Sequence, residues 1–237
     1  MKTILILLFL FLASMSLYSR DYNERDIFKS EIKLASLLKE YNYYNKSLKI
    51  YTDLTKINHS VSLYIDLGIL YKKTGNIKMA EKIIKDAIIE KPNNLELINA
   101  LGDIYFEAEN YENAKKYLLK IKNNSKNAVN RLALIENRKN NYNEAIVYYR
   151  ILVDKYHDEI QRVNLAILYQ KLNRTDEAER ELLLFYKNSS DKYYATKYLI
   201  RFYKKYNEKE KLEAFINSLN LKQTKKKKMR PLLKSRR

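Results

Sequence analysis

The residue types that most often carry catalysis are sparse in this sequence. Its 237 residues include two histidines, His59 and His157, and no cysteine. Both histidines fall in polar connecting stretches, where no second histidine is near enough in sequence to complete a metal site. The lack of cysteine excludes thiolate ligands, thiol nucleophiles and disulfides, and no phosphate loop or nucleophile motif occurs. We therefore predict a protein that is not an enzyme, with no metal, no cofactor and no small-molecule substrate.

Positive charge is the second chemical feature, and it is concentrated at the C-terminus. The formal net charge is +18, nine lysines and arginines follow Leu221, and no acid follows Glu213. We predict a disordered basic tail over residues 221–237. It can be a solvated tail, a folded cap, or a ligand for an anionic membrane surface, an acidic protein or nucleic acid. The residues expected to contact an anionic surface are Lys225, Lys226, Lys227, Lys228, Arg230, Arg236 and Arg237.

The N-terminus has the pattern of an export signal. Lys2 precedes an apolar run over residues 4–13, and small residues including Ser16 and Ser19 follow. This order is typical of a secretory signal, so residues 1–19 are predicted as a signal peptide cleaved after Ser16 or Ser19. The run is shorter than the ~20 residues that span a bilayer comfortably. An uncleaved N-terminal anchor and a buried apolar helix remain as alternatives. Export also makes nucleic acid the poorest partner for the basic tail.

A repeat of about 33 residues organises the rest of the chain. Six leucines separated by 33, 34, 31, 33 and 34 residues mark it: Leu34, Leu67, Leu101, Leu132, Leu165 and Leu199. The residue after the leucine is small in the first five periods: Ala35, Gly68, Gly102, Ala133 and Ala166. Thirteen residues beyond the leucine stand Ser47, Ala80, Ala114, Ala145, Ala178 and finally Leu212. Small residues at both places let two helices pack closely, so each period predicts a helix pair.

The block from Ser62 to Asn94 resembles a tetratricopeptide repeat. The residues that fall on the signature positions of that family are Leu67, Gly68, Tyr71, Gly75, Ala80, Ile84, Ala87 and Pro92. The other periods follow the signature more loosely, and the third is three residues short. The resemblance covers roughly residues 28–220 and implies an all-α, superhelical solenoid of about six antiparallel helix pairs. We expect looser or irregular stacking of the units, with a bend between the third and fourth.

In this family the first helices of the units line a concave groove that binds partner segments. The resemblance implies that the groove residues here include Ile65, Ile69, Asn99, Asp103, Asn130, Arg131, Arg162, Asn164, Lys197 and Arg201. They change from mixed polar to basic towards the C-terminus. The Lys and Asn pairs with which some members clamp a peptide carboxylate are missing at the corresponding positions. Apolar Ile65 and Ile69 favour a partner helix or extended segment, with partly buried packing residues as the alternative.

Together, these patterns predict four segments along the chain. They are a signal peptide (1–19), a short lead-in (20–27), a solenoid (28–220) and the basic tail (221–237). The solenoid units span about 28–60, 61–94, 95–125, 126–158, 159–192 and 193–220.

The predicted function is a non-catalytic scaffold or adaptor that binds other proteins, exported to the periplasm or cell envelope of a bacterium. Its setting would be a motility, secretion or outer-membrane assembly machine. One alternative is a peripheral protein that binds an anionic membrane surface through its tail. Another is an enzyme or sugar-binding protein that uses the groove.

Overall fold

The computed structural model describes residues 24–219, and within this range it contains twelve α-helices and no strand. The helices are α1 (24–40), α2 (Tyr44–Ile57), α3 (Val61–Lys73), α4 (Ile77–Glu90), α5 (Leu95–Glu107), α6 (Tyr111–Ile121), α7 (Lys126–Arg138), α8 (Tyr142–Asp154), α9 (Gln161–Lys171), α10 (Thr175–Asn188), α11 (Lys192–Lys205) and α12 (Lys209–Ser218). Pairs such as α3–α4, α5–α6, α7–α8 and α9–α10 pack extensively. The prediction of an all-α fold of helix pairs is confirmed.

None of the helices between residues 24 and 219 is both long and apolar enough to cross a membrane. The predicted signal peptide (1–19) and basic tail (221–237) lie outside the described residues. The described part of α1 is already helical at residue 24, within the segment 20–27 that the sequence predicted as a lead-in.

The two helices of each pair are joined by the same turn. Its central residue has a left-handed backbone, with φ between 57° and 81°, at Asn42, Gly75, Glu109, Asn140, Asn173 and Asn207. The amide of the following residue donates to a carbonyl five residues back, as from Asn76 to Tyr71 at 2.8 Å. This closure is a Schellman-type helix end. Glycine and asparagine adopt positive φ more readily than other residues, so five of the six turns have a suitable residue.

The chain divides into two compact units at residues 121 and 122, the junction of the third and fourth repeats. In its described part, the first unit holds α1–α6 and the second holds α7–α12. A buried cluster in the first unit contains Tyr51, Leu54, Leu63, Leu67 and Leu70. The cluster in the second unit includes Tyr149, Leu165, Tyr169, Phe185 and Leu199.

The repeat positions explain this burial. The leucines that mark the second to sixth periods are at most 1% exposed, and the small residues of the second helices of the first five are fully buried. In the first period Ser47 replaces alanine at this place, and its hydroxyl donates to the carbonyl of Ala35 at 2.7 Å. That bond offsets the cost of burying a hydroxyl. Leu34, the first marker, is instead half exposed.

Successive pairs are also joined by tyrosines of the first helices. The hydroxyl of Tyr105 on α5 donates to Glu81 on α4 at 2.7 Å, and that of Tyr203 on α11 donates to Glu179 on α10 at 2.9 Å. Burial, reinforced by the glutamate, raises the pKa of Tyr203. The fourth period has Glu136 at this place, buried and accepting a hydrogen bond from Asn141 at 2.8 Å. The two tyrosine bonds therefore hold one pair against the next, whereas the bond of Glu136 lies within its own pair.

Candidate partner-binding groove

In the second unit, a cleft of about 100 Å³ opens between the first helices of the last two repeats, α9 and α11. Its floor is apolar and buried, formed by Val163, Ala166, Leu182 and Phe202. Its remaining lining residues are Ile167, Gln170, Tyr198, Arg201 and Lys205. The cleft therefore combines an apolar floor with a basic rim.

The rim is partly ordered by hydrogen bonds between neighbouring repeats. The ammonium group of Lys205 on α11 donates to the amide oxygen of Gln170 on α9 at 2.9 Å. One repeat earlier, Lys171 on α9 reaches Asn137 on α7 at 3.4 Å. Both pairs join adjacent first helices, with an amide in one repeat and a lysine in the next. They repeat the same contact along this face of the second unit.

Tyrosines extend the basic rim at the start of α11. The hydroxyls of Tyr194 and Tyr198 lie 2.8 Å apart, and their rings meet edge to face at 5.1 Å. The hydrogen bond with Tyr194, together with burial, raises the pKa of Tyr198. Lys197 and Arg201 lie on the same side of α11, one turn apart. Lys197 is half-buried, whereas Arg201 is exposed at the cleft.

The predicted groove residues of the second unit are polar or basic. Those on α7, α9 and α11 include Asn130, Arg131, Asn164, Lys197 and Arg201, and none of them is a carboxylate. Asn130, Arg131 and Asn164 are all half-buried, and Asn164 donates to Gln161 at 2.7 Å. An anionic segment is therefore the ligand that this face favours electrostatically.

The corresponding face of the first unit has a different character. Ile65 and Ile69 on α3 are half-buried, one turn apart, and α3 packs directly against α5. On α5, the amide of Asn99 lies 3.5 Å from the carboxylate of Asp103. The predicted residues of this unit thus form an apolar strip beside a polar pair that includes an acid.

The side chain of Arg162, another predicted groove residue, is held by ion pairs. Its guanidinium contacts Glu159 at 2.7 Å and Glu181 on α10 at 2.8 Å. Glu181 is almost fully buried and also binds Arg150 at 3.0 Å. Burial opposes the charge of Arg162, but the bonds to the two carboxylates outweigh it and raise its pKa. Arg162 therefore connects α9 to α10, and we leave it out of the groove surface.

The predicted tail residues Lys225, Lys226, Lys227, Lys228, Arg230, Arg236 and Arg237 lie outside the described residues. Sequence reasoning also missed residues that line the cleft, among them Gln170, Leu182, Tyr198, Phe202 and Lys205. Tyr198 and Lys205 lie three and four residues from Arg201 in sequence. Helical spacing around a predicted groove residue was the signal that could have identified them.

Comparison with known proteins supports this description of the fold. Residues 61–94 and 95–125 match the family model described as tetratricopeptide repeat. A comparison with curated protein sequences finds no match. The solved structures that the chain resembles are similar in fold at low sequence identity.

One such structure is that of pilF from Pseudomonas aeruginosa, with a TM-score of 0.61 at 16% identity, covering 81% of this chain and 90% of that one. A tetratricopeptide repeat protein from Parabacteroides merdae gives 0.55 at 18%, covering 86% and 83%. MamA from Desulfovibrio magneticus gives 0.57 at 13%, covering 69% and 97%. Tetratricopeptide repeat proteins are generally non-catalytic scaffolds that bind other proteins. Residues 61–94 and 95–125 of this chain therefore match the tetratricopeptide repeat, and its described helix pairs share the fold of solved tetratricopeptide repeat proteins.

Proposed function

We propose that this protein is an exported adaptor of the bacterial cell envelope that binds a segment of a partner protein along the first helices of its repeats. The single observation that carries the proposal is the α9–α11 cleft, with its apolar floor and basic rim. An apolar floor can bury a side chain of the partner, and the rim can orient the partner through charge. A motility, secretion or outer-membrane assembly machine is the proposed setting.

The export part of the proposal rests on the sequence pattern of residues 1–19. Cleavage after Ser16 would give a mature chain that begins at Leu17, and cleavage after Ser19 one that begins at Arg20. Fractionation of cells followed by N-terminal sequencing tests it. Recovery of one of these two N-termini in the periplasmic fraction is the expected result. An intact Met1 in the cytoplasmic fraction would contradict export.

The groove is tested by photo-crosslinking from inside the cleft. A photoreactive residue replaces Ile167, which is 43% exposed, or Val147 on α8, which is 57% exposed and serves as the matched control. We expect the same few envelope proteins to be captured from the Ile167 position and not from the Val147 position. Equal capture from both positions would show that the cleft does not select the partner.

Charge variants give an independent measurement of the same surface. Arg201→Glu reverses an exposed charge at the rim, and Arg180→Glu reverses an exposed charge on α10, away from the cleft residues. The rim variant should weaken capture about tenfold or more, because a like charge opposes an acidic partner. The control should leave capture unchanged. If Arg180→Glu weakens capture as much as Arg201→Glu, overall charge and not the cleft controls binding.

A peripheral protein that binds an anionic surface through its tail is the second candidate, supported by the nine positive charges after Leu221. Capture and membrane fractionation of a version that ends at Leu221 separate the two functions. The adaptor keeps its partners without the tail, whereas the surface-binding protein loses its location. Retention of partners only by the full chain, and only in low salt, would favour the tail.

A further inference from the structure

The outer side of α1 carries a stripe of exposed apolar side chains, which we call the α1 stripe. Ile27, Leu34 and Leu37 are 50%, 50% and 42% exposed, and Tyr41, in the turn that follows α1, is 70% exposed. Their spacing of seven, three and four residues places them along one side of the helix. The amide of Tyr41 still donates to the carbonyl of Leu37 at 2.9 Å, so the helical path continues to the end of the stripe. Several exposed apolar side chains on one side of a helix are typical of an interaction surface.

The repeat pattern shows which kind of surface the stripe is. Leu34 and Leu37 occupy the places that Leu67 and Leu70 occupy one repeat later, where both side chains are buried. The third, fifth and sixth repeats also follow another repeat of the same unit. Their residues at these two positions are buried as well: Leu101, Ile104, Leu165, Leu168, Leu199 and Phe202. There the second helix of the preceding repeat packs against them, as α2 does on α3 and α8 on α9. The α1 stripe is therefore a repeat-stacking surface that no helix within the described residues covers.

The last described helix has no comparable surface. None of the large apolar side chains that are exposed between residues 24 and 219 lies on α12, whose exposed side chains include Lys209, Lys211 and Glu213. A polar outer face is what a terminal repeat needs for solubility. Only the first repeat departs from this rule. Copies of the chain cannot extend into a filament by stacking α1 on α12, because one of the two surfaces is polar.

We propose that a second copy of this chain covers the α1 stripe, so that two copies form a two-fold symmetric dimer through α1. The stripe is centred on Leu34, with Ile27 seven residues before it and Tyr41 seven residues after it. In an antiparallel pair of α1 helices, Leu34 meets Leu34 on the two-fold axis. Each Ile27 then faces Tyr41 of the other copy. This is the self-complementary contact that a two-fold interface requires.

The proposal rests on the exported form described above. After cleavage, residues 17–23 or 20–23 would precede the described part of α1. A helix that covers the stripe from Ile27 to Tyr41 needs about 14 residues at 1.5 Å per residue. The leader residues left after cleavage are too few to form such a helix, whereas α1 of a second copy, whose described part runs from residue 24 to residue 40, is long enough.

Disulfide trapping tests the two-fold position of Leu34. The chain has no cysteine, so Leu34→Cys introduces its single thiol. Two such thiols at the axis come within reach of a disulfide, and mild oxidation should link most of the protein into dimers. Ile57→Cys is the matched control, because Ile57 is an exposed apolar residue of the same unit on α2. Equal linkage of the two variants, or none from Leu34→Cys, would overturn the proposal.

Sedimentation of the exported chain with its natural N-terminus gives the mass in solution. We expect two copies at about 50 μM and above, with little change in 0.5 M salt, because the contact is small and apolar. Leu34→Lys and Leu34→Glu should each sediment as one copy, since like charges meet on the axis, and an equimolar mixture of the two should recover two copies. Circular dichroism confirms that each variant keeps its helices, as expected for half-exposed positions.

A wild-type chain that stays single at several hundred micromolar would refute the dimer. Single copies whose α1 amides resist hydrogen exchange would show that residues before α1 cover the stripe. If the unsubstituted chain is a monomer and Leu34→Lys abolishes capture of envelope proteins, the stripe binds a different partner. Each of these two findings would overturn the proposal. Sedimentation measures dimerisation, and capture of envelope proteins measures binding at the cleft. Arg201→Glu should weaken capture and leave the sedimenting mass unchanged. Failure of the adaptor function and failure of the dimer are therefore distinguishable.

Discussion

The sequence predicted two arginines of the second unit, Arg162 and Arg201, as groove residues. The same substitution at these two positions should affect two different properties of the protein. Arg162→Met and Arg201→Met both remove a guanidinium and keep an unbranched side chain of similar length. The side chain of Arg162 is 12% exposed and contacts Glu159 and Glu181, and that of Glu181 is 3% exposed. Arg201 is exposed at the cleft. The first substitution should lower stability, and the second should lower partner capture.

The size of the stability change follows from the contacts that remain. Removing one partner of a fully buried ion pair costs about 3–5 kcal/mol, because a charge is left without compensation. After Arg162→Met, Glu181 still binds Arg150 at 3.0 Å, a side chain that is 44% exposed. We therefore expect a loss of about 2–3 kcal/mol, at or below the lower end of that range. Arg201→Met should change the free energy of unfolding by less than about 0.5 kcal/mol.

Urea unfolding followed by circular dichroism measures both variants. With a slope of about 2 kcal/mol per molar urea, Arg162→Met should lower the midpoint by about 1 M. The double variant Arg162→Met/Glu181→Leu provides the internal control, because it also removes the carboxylate that was left with one partner. Its loss should be smaller than that of Arg162→Met alone, since replacing both members of a buried pair by apolar groups is often close to neutral. A double variant as unstable as the sum of its single variants would refute the ion-pair account. So would equal midpoints for Arg162→Met and Arg201→Met.

Three further predictions concern the first unit. The pKa of Glu81 is held below its usual value of 4.5 by hydrogen bonds from Lys85 and then Tyr105. A depressed carboxyl pKa adds stability that is complete well above pH 4.5 and is lost as the pH falls through the folded pKa. Tyr105→Phe should therefore cost about 1 kcal/mol at pH 7 and flatten this acid dependence, which unfolding midpoints at pH 7 and pH 3 measure; an unchanged pH profile would contradict it. Gly102→Ala should be net destabilising by about 1 kcal/mol despite the higher helix propensity of alanine, because the new Cβ would lie 2.5 Å from a leucine side chain on α6. A rise in melting temperature would show that this leucine moves aside. Glu109→Asn should stabilise by a few tenths of a kcal/mol to about 1 kcal/mol, because Glu109 has φ of 57° and asparagine tolerates that conformation better. The same urea assay measures it, and a lower midpoint would count against strain at this turn.

The repeat positions made much of the fold predictable. A leucine followed by a small residue and, thirteen residues later, a second small residue specifies two helices that pack closely, and the structure buries both small residues in the first five repeats. The turns at Asn140 and Asn173 are also predictable from sequence, because asparagine tolerates the positive φ that both residues adopt. Each of these features depends on residues close together in sequence. Local patterns were therefore sufficient to predict them.

Other features depend on partners that sequence spacing does not reveal. Arg162 and Glu181 are 19 residues apart on different helices, and only the packing of α9 on α10 brings their charges together. Leu34 matches the repeat pattern as well as Leu67 does, yet it is half exposed, because none of the helices between residues 24 and 219 covers it. Pattern alone gives the side of a helix on which a residue lies. It does not give what is packed against that side.

The same distinction explains why the charge of this protein should not be treated as a single property. The tail would bind a partner through the attraction between opposite charges. Salt screens this attraction over about 8 Å at physiological ionic strength. Arg201 and Lys205 lie at the rim of a cleft whose floor includes buried Val163 and Phe202, where a partner side chain can also exclude water. Burial of apolar surface does not weaken with salt in the way that exposed ion pairs do. In high salt, a partner should therefore bind the cleft more slowly and with less orientation by charge, but the apolar contact should remain. Binding by the tail should disappear. Salt thus distinguishes the two proposed functions by their physical origin, even though both are attributed to lysine and arginine.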